Sequence, residues 1–258
     1  MDNMEKKPLI SSGCLVRLFV GGLPLGLAIM GALSFIVYFN MKKKKETPVA
    51  SQLSSMLRKD LSADDFERYG RILSQDIGVR TAEKKENLEA ASAFVESTLG
   101  FDNMGYAVVR QEFDANGKTF LNLTADLVGK SNPKEIVLVV STYDSTALNQ
   151  PEESSGLAAM LCLAHSLTGD PLNRTVRYAA VINGRSSDPK LNGLAHLLDQ
   201  MTENKETVKQ VLIFTEGLDL SSLPKFMALK SLKVKPDMDA AAVLKTLQEM
   251  QAAVKGAG

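Results

Sequence analysis

The sequence is poor in cysteine and histidine. It has two cysteines, Cys14 and Cys162, and two histidines, His165 and His196, in 258 residues. Two distant cysteines exclude a disulfide framework and a cysteine-rich zinc site. Two histidines leave few candidates for acid–base catalysis or metal binding. The pattern around each histidine favours an ordinary position on a helix, and Cys162 fits a small buried apolar residue.

The chain also lacks an excess of charge of either sign. Its 30 Lys and Arg residues balance 30 Asp and Glu residues, so the formal net charge is zero. A broad nucleic-acid-binding surface needs an excess of cations, and we therefore expect no nucleic-acid partner. Hydrophobic residues make up 45% and charged residues 23% of the chain, a balance typical of folded domains.

One uncharged run, residues 18–39, is long enough to cross a bilayer. As a helix it would span roughly 33 Å, against about 30 Å for a bilayer core. A cleaved signal peptide is the alternative. However, the run is long for one, and the cluster Lys42–Lys45 follows it in place of a small-residue cleavage site. The sequence therefore predicts a single-pass membrane protein with an uncleaved signal-anchor that contacts membrane lipid through 18–39.

This anchor divides the chain into an N-terminal tail (1–17), a transmembrane helix (18–39), a charged tether (40–49) and one domain (50–258). Gly22 and Gly26 have the small-xxx-small spacing that allows two membrane helices to form a weak dimer. Positive charges before and after the span are nearly balanced, with a slight lean toward a cytoplasmic C-terminus.

Hydrophobic periodicity predicts the elements of the domain. The predicted helices cover 62–74, 81–99, 154–167, 191–201 and 239–254, and the predicted strands cover 106–113, 119–128, 135–141, 175–182 and 208–214. Asn116-Gly117 predicts a tight hairpin between the first two strands. Buried strands that alternate with helices indicate an α/β fold: a three-layer αβα sandwich with a largely parallel mixed central sheet. The last helix could form a short coiled-coil seam, but packing within its own domain is favoured.

Three short motifs follow this order of elements. Tyr143-Asp144-Ser145 comes after the third strand, Ser155-Gly156 begins the next helix, and Asn183-Gly184 follows the fourth strand. Their order and spacing over residues 80–220 resemble the di-zinc exopeptidase family of aminopeptidases, glutaminyl cyclases and the protease-like domain of the transferrin receptor. Sites in such sheets lie at the carboxyl ends of the strands.

The resemblance implies a site whose metal ligands have been replaced. The family uses five ligands and a general base around two zinc ions that activate a water. By the resemblance, Thr142 replaces the first histidine ligand, and no histidine remains near the C-terminus for the last one. The other matching positions are Glu152 for the bridging aspartate, Glu153 for its neighbour, Arg185 and Ser186 for a glutamate pair, and Glu216 (or Phe214) for a later carboxylate. Asp144 persists, but the histidine that it would support is gone.

We therefore expect a membrane-anchored, non-catalytic domain that acts in binding or as a scaffold, without a cofactor. An active zinc-dependent aminopeptidase or glutaminyl cyclase with a divergent site is the alternative. Nearby serines, such as Ser145 and Ser154, fit turns and helix caps better than a nucleophile, because no histidine accompanies them. The expected partner is a protein or peptide. Family members mostly act outside the cytoplasm, which favours an extracytoplasmic domain. Arg185 is expected close to at least one site carboxylate, where its charge would replace that of the metal.

Overall fold

The computed structural model describes Met30, Ser34 and residues 55–148, 151–215, 217–223, 228–231 and 239–256. Within these residues no helix is long and apolar enough to cross a membrane. The predicted membrane helix (18–39), with Gly22 and Gly26, lies outside the described residues except for Met30 and Ser34, so the anchor stays a prediction.

The helices of the domain fall close to their predicted positions. In the described part of the chain they are α1 (Ala63–Arg71), continued by a π-helical segment (Ile72–Ile77), α2 (Lys85–Leu99), α3 (Pro151–Leu167), α4 (Gly193–Glu203) and α5 (Ala240–Gly256). The side chain of Ser62 caps α1 by accepting a hydrogen bond from the backbone N–H of Asp65. The predicted cap of α2 at Thr81 is wrong. Its carbonyl accepts the N–H of Lys84 in a separate turn, and the helix begins after Lys84.

Six strands form one mixed sheet. They are β1 (Val108–Ala115), β2 (Lys118–Leu127), β3 (Asn132–Thr142), β4 (Arg174–Val181), β5 (Thr207–Ile213) and β6 (Ala228–Ser231), in the order β1-β2-β4-β3-β5-β6. β3 pairs in parallel with β4 and β5, β5 pairs in parallel with β6, and β2 runs antiparallel to its neighbours. The mostly parallel mixed sheet is confirmed. Sequence analysis missed β6, because four residues are too few to show a period.

The β1–β2 hairpin turns where the sequence predicts. Asn116 and Gly117 have φ values of 51° and 71°. Positive values at both central residues define the turn whose twist matches that of the flanking strands. Pairing then runs without interruption from Ala115 opposite Lys118 to Val108 opposite Ala125.

The sheet separates two hydrophobic cores. Val137 and Val139 of β3 point into a core shared with α1, α2, α3 and α5, whereas Ile136, Leu138 and Val140 point into a smaller core against α4. Helices therefore cover both faces, as expected when alternate side chains of a buried strand serve opposite layers. The apolar positions of α5 are buried in the larger core, as favoured over a coiled-coil seam.

The start of α3 lies directly against the end of β5. A Cβ at Gly156 would lie 1.7 Å from the carbonyl oxygen of Phe214. Only glycine permits that approach. It brings the N-terminal half of α3 to the carboxyl ends of β3 and β5.

Candidate functional site

A cluster of buried hydroxyl groups closes the carboxyl ends of β3 and β5. Thr142, the residue that the sequence resemblance matches to the family's first histidine, is fully buried at the last position of β3. Its backbone N–H donates to Thr215 Oγ1 over 2.8 Å, and its own hydroxyl lies 3.3 Å from the same atom. Ser141 Oγ shares a further hydrogen bond of 2.8 Å with Thr215 Oγ1. Neutral side chains bonded to one another therefore occupy these strand ends.

Asp144, of the Tyr143-Asp144-Ser145 motif, is a buried carboxylate at this edge. Its Oδ1 atom is buried and has no hydrogen-bond partner among the described residues. Burial raises the pKa of Asp144 to about 6, although the charges of Arg185 and Arg80 and the backbone N–H groups of Asp144 and Asn183 act in the opposite direction. Tyr143, next to it, turns to the other side and donates its hydroxyl to the carbonyl of Leu121.

Arg80 is the buried cation of the site. Its guanidinium donates to the carbonyls of Tyr143 (2.8 Å), Leu73 (2.5 Å) and Gly78 (2.9 Å). It also donates to Ser154 Oγ over 3.1 Å. Burial lowers the pKa of Arg80 to about 10, and the negative charges of Asp144 and Glu153 oppose that shift. Arg80 therefore connects the π-helical segment, the end of β3 and the start of α3.

The site serines contribute to local structure. Ser145 Oγ accepts the backbone N–H of Arg80 over 2.9 Å, and the backbone N–H of Ser145 donates to the carbonyl of Arg80. Ser154 accepts from the Arg80 guanidinium. The N–H of Ser186 closes a turn onto the carbonyl of Asn183, and its hydroxyl accepts the N–H of Asp188. Ser186 has the turn role expected from the sequence, whereas Ser145 and Ser154 bind Arg80 from a distant part of the chain.

Arg185 lies in the loop after β4 and faces the end of β5. A Cβ on Gly217 would be 3.9 Å from Arg185 Cδ, so the side chain runs beside that glycine. The loop is held by Asn192, whose amide donates to the carbonyls of Gly184 and Ser186. The positive charge of Arg185 favours the ionised form of Asp144 and so opposes the rise in the pKa of that group. The expected close approach of Arg185 to a site carboxylate stays a prediction.

Of the other predicted site carboxylates, the structure describes the side chain of Glu153 alone. Glu153 accepts the backbone N–H of Thr146 with both oxygens, at 3.1 and 3.2 Å, and so fixes the loop after β3. The side chain of Glu152 and all of Glu216 lie outside the described part of the chain. Their predicted places in the site stay predictions.

Neither histidine lies at the strand ends. His165 Nε2 is 2.9 Å from the carbonyl oxygen of Leu57. His196 Nε2 is 3.0 Å from the carbonyl oxygen of Lys190, and its ring stacks on Phe113 at 4.0 Å. Cys162 is buried in α3, and burial raises the pKa of its thiol to about 12, which disfavours the reactive thiolate.

The donors that the structure describes at this edge do not make up a zinc site. Zinc in proteins takes about four ligands from histidine, cysteine and carboxylate groups. In the described ranges no three such residues come together in a way that could hold a metal ion. The hydroxyl of Thr142, the residue that the sequence resemblance matches to the first histidine, lies 3.3 Å from Thr215 Oγ1, and Arg185 brings a positive charge that acts on Asp144.

A cavity of about 540 Å³ lies beside the strand ends, between α2 and the β1–β2 hairpin. Tyr143 and Ile182, next to the ends of β3 and β4, belong to its lining with other apolar residues. The full apolar lining is Ala82, Leu88, Phe120, Leu121, Tyr143 and Ile182, and the charged lining is Lys85, Glu89, Arg110, Glu112 and Lys118. The lining therefore combines apolar residues with charged groups of both signs, the composition usual in ligand-binding clefts.

Two residues shape the site in ways that the sequence did not predict. Thr215 is placed by the sequence at a strand end, but no motif indicates that it forms the centre of the hydroxyl cluster. Asn192 both closes the Arg185 loop and caps α4 by accepting the N–H of Ala195. An asparagine before a helix is a known capping signal and could have identified its second role.

Known proteins resemble this chain in structure. No protein-family model matches the chain, and no curated protein matches it in sequence. A glutaminyl cyclase from an Acidobacteriales bacterium is 9% identical, with a TM-score of 0.59, over 78% of this chain and 97% of that chain. A protein from Bacteroides vulgatus described as a zinc-dependent exopeptidase is 13% identical, with a TM-score of 0.53, over 77% and 97%.

The glutaminyl cyclase from Fimbriiglobus ruber is 22% identical, with a TM-score of 0.45, and the match spans 60% of this chain and 61% of that chain. The chain has the fold of zinc exopeptidases and glutaminyl cyclases. The predicted resemblance is confirmed at that level, and similarity at these identities concerns the fold alone.

Proposed function

We propose that this chain is a membrane-anchored, non-catalytic member of the zinc-aminopeptidase-like fold, whose domain acts in binding or as a scaffold. The hydroxyl cluster of Ser141, Thr142 and Thr215 is the observation that carries the proposal. These groups bond to one another at the strand ends where a zinc exopeptidase would need metal ligands. The partner is a protein or peptide, and the cavity beside Tyr143 offers it an apolar lining with charged groups around it.

A second function has one observation in its favour. Asp144 keeps a buried oxygen without a hydrogen-bond partner among the described residues, and such an oxygen could accept a metal or a substrate amine. An active zinc-dependent aminopeptidase or glutaminyl cyclase with a divergent ligand set would use it. In that case Asp144, with Glu152 and Glu216, would hold the zinc.

Zinc binding by the purified full chain in detergent separates the two functions. We expect no stoichiometric zinc by metal analysis and no aminopeptidase or glutaminyl cyclase activity. Because a ligand that binds the native state raises its stability, we also expect the same melting temperature with zinc as with a chelator. Stoichiometric zinc, together with an activity that Asp144→Asn abolishes, would establish the second function instead. Ser187→Ala, in an exposed part of the Arg185 loop, is the matched control.

A further inference from the structure

The segment 55–60, which leads into α1, lies against the C-terminal end of α3 with little burial of its own. Five of its six residues are exposed, and only Leu57 is partly buried. Its backbone bonds to His165 of α3 at two points. His165 Nε2 lies 2.9 Å from the carbonyl oxygen of Leu57, and the N–H of Lys59 donates to the carbonyl of His165 over 3.4 Å. A segment with so few buried contacts can open locally while the domain stays folded.

The hydrogen bonds of His165 favour its neutral form. In the neutral imidazole, Nε2 carries the proton, because the carbonyl of Leu57 can only accept. Nδ1 is then an acceptor, and it is buried without a hydrogen-bond partner among the described residues. A second proton would place a donor there without an acceptor, and a positive charge on a residue that is 3% exposed. Both effects cost free energy while the segment is docked.

The charged groups around His165 do not offset that cost. Asp65 of α1 is the carboxylate that acts on the ring, and its Oδ1 already accepts a hydrogen bond of 2.5 Å from Arg68. Burial lowers the pKa of His165 below its ordinary value of 6.5, and the positive charges of Lys59 and Arg68 act in the same direction. The hydrogen bond to Leu57 and the charge of Asp65 oppose that shift without cancelling it.

An ion pair links the same segment to the domain through a side chain. Arg58 pairs with Asp170, just beyond α3, and Asp170 also pairs with Lys255 of α5 at 2.9 Å. Asp170 is the second titratable group in contact with the segment. Its protonation would weaken the pair with Arg58, so a test of His165 has to distinguish the two groups.

We propose that His165 is a pH-sensitive latch: the neutral ring holds the segment 55–60 on α3, and protonation of the ring releases it. After release the ring reaches solvent, and its pKa returns toward about 6.5. The docked form is therefore fully favoured above that pH. As the pH falls below it, the docked-to-released ratio drops by up to about tenfold per pH unit. Release would add about 20 Å of extended chain between the domain and the predicted tether, and it does not depend on whether the domain is catalytic.

Spin-label mobility in the full chain in detergent tests the latch. In a Cys14→Ser background, Met56→Cys carries the label at a position that is 80% exposed, while Cys162 is buried and stays unlabelled. We expect the label to become mobile as the pH falls from about 7.5 to about 5, with an unchanged circular dichroism spectrum because the release is local. His165→Gln keeps a neutral N–H donor for the carbonyl of Leu57 and cannot titrate, so its label should stay immobile over the same range.

His196→Gln is the matched control, because it removes the other histidine of the chain and should keep the parent's response. A parent chain whose label has the same mobility at both pH values would overturn the proposal. A response that His165→Gln retains would also overturn it, and would assign the acid sensitivity to another group such as Asp170. Loss of the helical circular dichroism signal over the same range would contradict a local release.

Discussion

The two ends of the parallel strands hold their charges differently. Near the amino ends, Arg177 donates to both oxygens of Asp126 and also bonds Glu206, at 2.6 to 3.1 Å. At the carboxyl ends, Asp144 keeps one buried oxygen unbonded among the described residues, while Arg80 donates mainly to carbonyl groups. The charge of Arg177 at the amino ends is therefore paired with two carboxylates, as expected of groups that stabilise the fold.

The unbonded oxygen of Asp144 is the feature that distinguishes the carboxyl ends. Buried polar groups in native proteins are nearly always hydrogen-bonded, and exceptions call for a specific explanation. Asp144 is such an exception, as are His165 and Tyr178 among the described residues, and Asp144 lies at the edge where sheets of this kind bind ligands. The carboxyl ends therefore hold a buried carboxylate with an unbonded oxygen, whereas the charges at the amino ends are paired.

Replacing Arg80 should give the largest effect on stability. Arg80→Met removes the guanidinium hydrogen bonds to the carbonyls of Leu73, Gly78 and Tyr143, and removes the positive charge that opposes the raised pKa of Asp144. We expect a loss of about 3–5 kcal/mol in the free energy of unfolding, measured by urea titration of the full chain in detergent.

Arg80→Lys is the matched control for that change. It keeps the charge but cannot reach several acceptors with a planar fork, so we expect a smaller loss. Equal losses for the two variants would mean that charge has no part in the role of Arg80. An unchanged urea midpoint for Arg80→Met would show that these hydrogen bonds contribute nothing.

Asp144→Asn should act in the opposite direction and depend on pH. The folded-state pKa of Asp144 is raised to about 6, above its ordinary value of 3.8. A raised carboxyl pKa means that the folded state binds more protons between these values, so stability falls as pH rises from about 4 to about 6. We expect the variant to gain on the order of 2 kcal/mol over the parent chain between pH 4 and pH 7.

The difference between the two proteins isolates this group. The pKa of His165 is lowered mainly by burial, but this group is present in both proteins and its effect cancels. Urea titrations of both proteins at pH 4, 5, 6 and 7 give the comparison. A constant difference across that range would show that Asp144 does not titrate as its burial indicates.

Arg177→Met tests the paired amino ends. Arg177 is 12% exposed, and Asp126 and Glu206 are 30% and 15% exposed, so solvent partly screens both carboxylates. We expect a loss of about 2 kcal/mol, below that for a fully buried pair. Arg174→Met, whose bond to Glu135 is more exposed, is the control and should lose less. The reverse order would remove the contrast between the two ends of the strands.

The sequence predicted the layers of the fold better than the chemistry of the site. Apolar runs such as 135–141 and the Asn116-Gly117 turn are local signals, and both appear in the structure as expected. The hydroxyl cluster was not predictable, because Thr142 and Thr215 meet only when β3 and β5 become neighbours. The role of Arg80 was hidden for the same reason, since its partners lie up to 74 residues away.

Thr215→Val tests the neutral chemistry that now occupies the carboxyl ends. The substitution keeps the shape of the side chain and removes the oxygen that accepts the N–H of Thr142 and shares a hydrogen bond with Ser141. Leaving such buried groups unbonded should cost about 1–2 kcal/mol.

Thr215→Ser separates the hydroxyl from the methyl group. It keeps the acceptor and should lose less than Thr215→Val, because only the packing of one methyl is removed. If instead Thr215→Val loses nothing while Thr215→Ser is destabilised, the cluster contributes packing alone. The strand ends would then hold no chemical replacement for metal ligands, and the contrast with the paired charges at the amino ends would rest on Asp144.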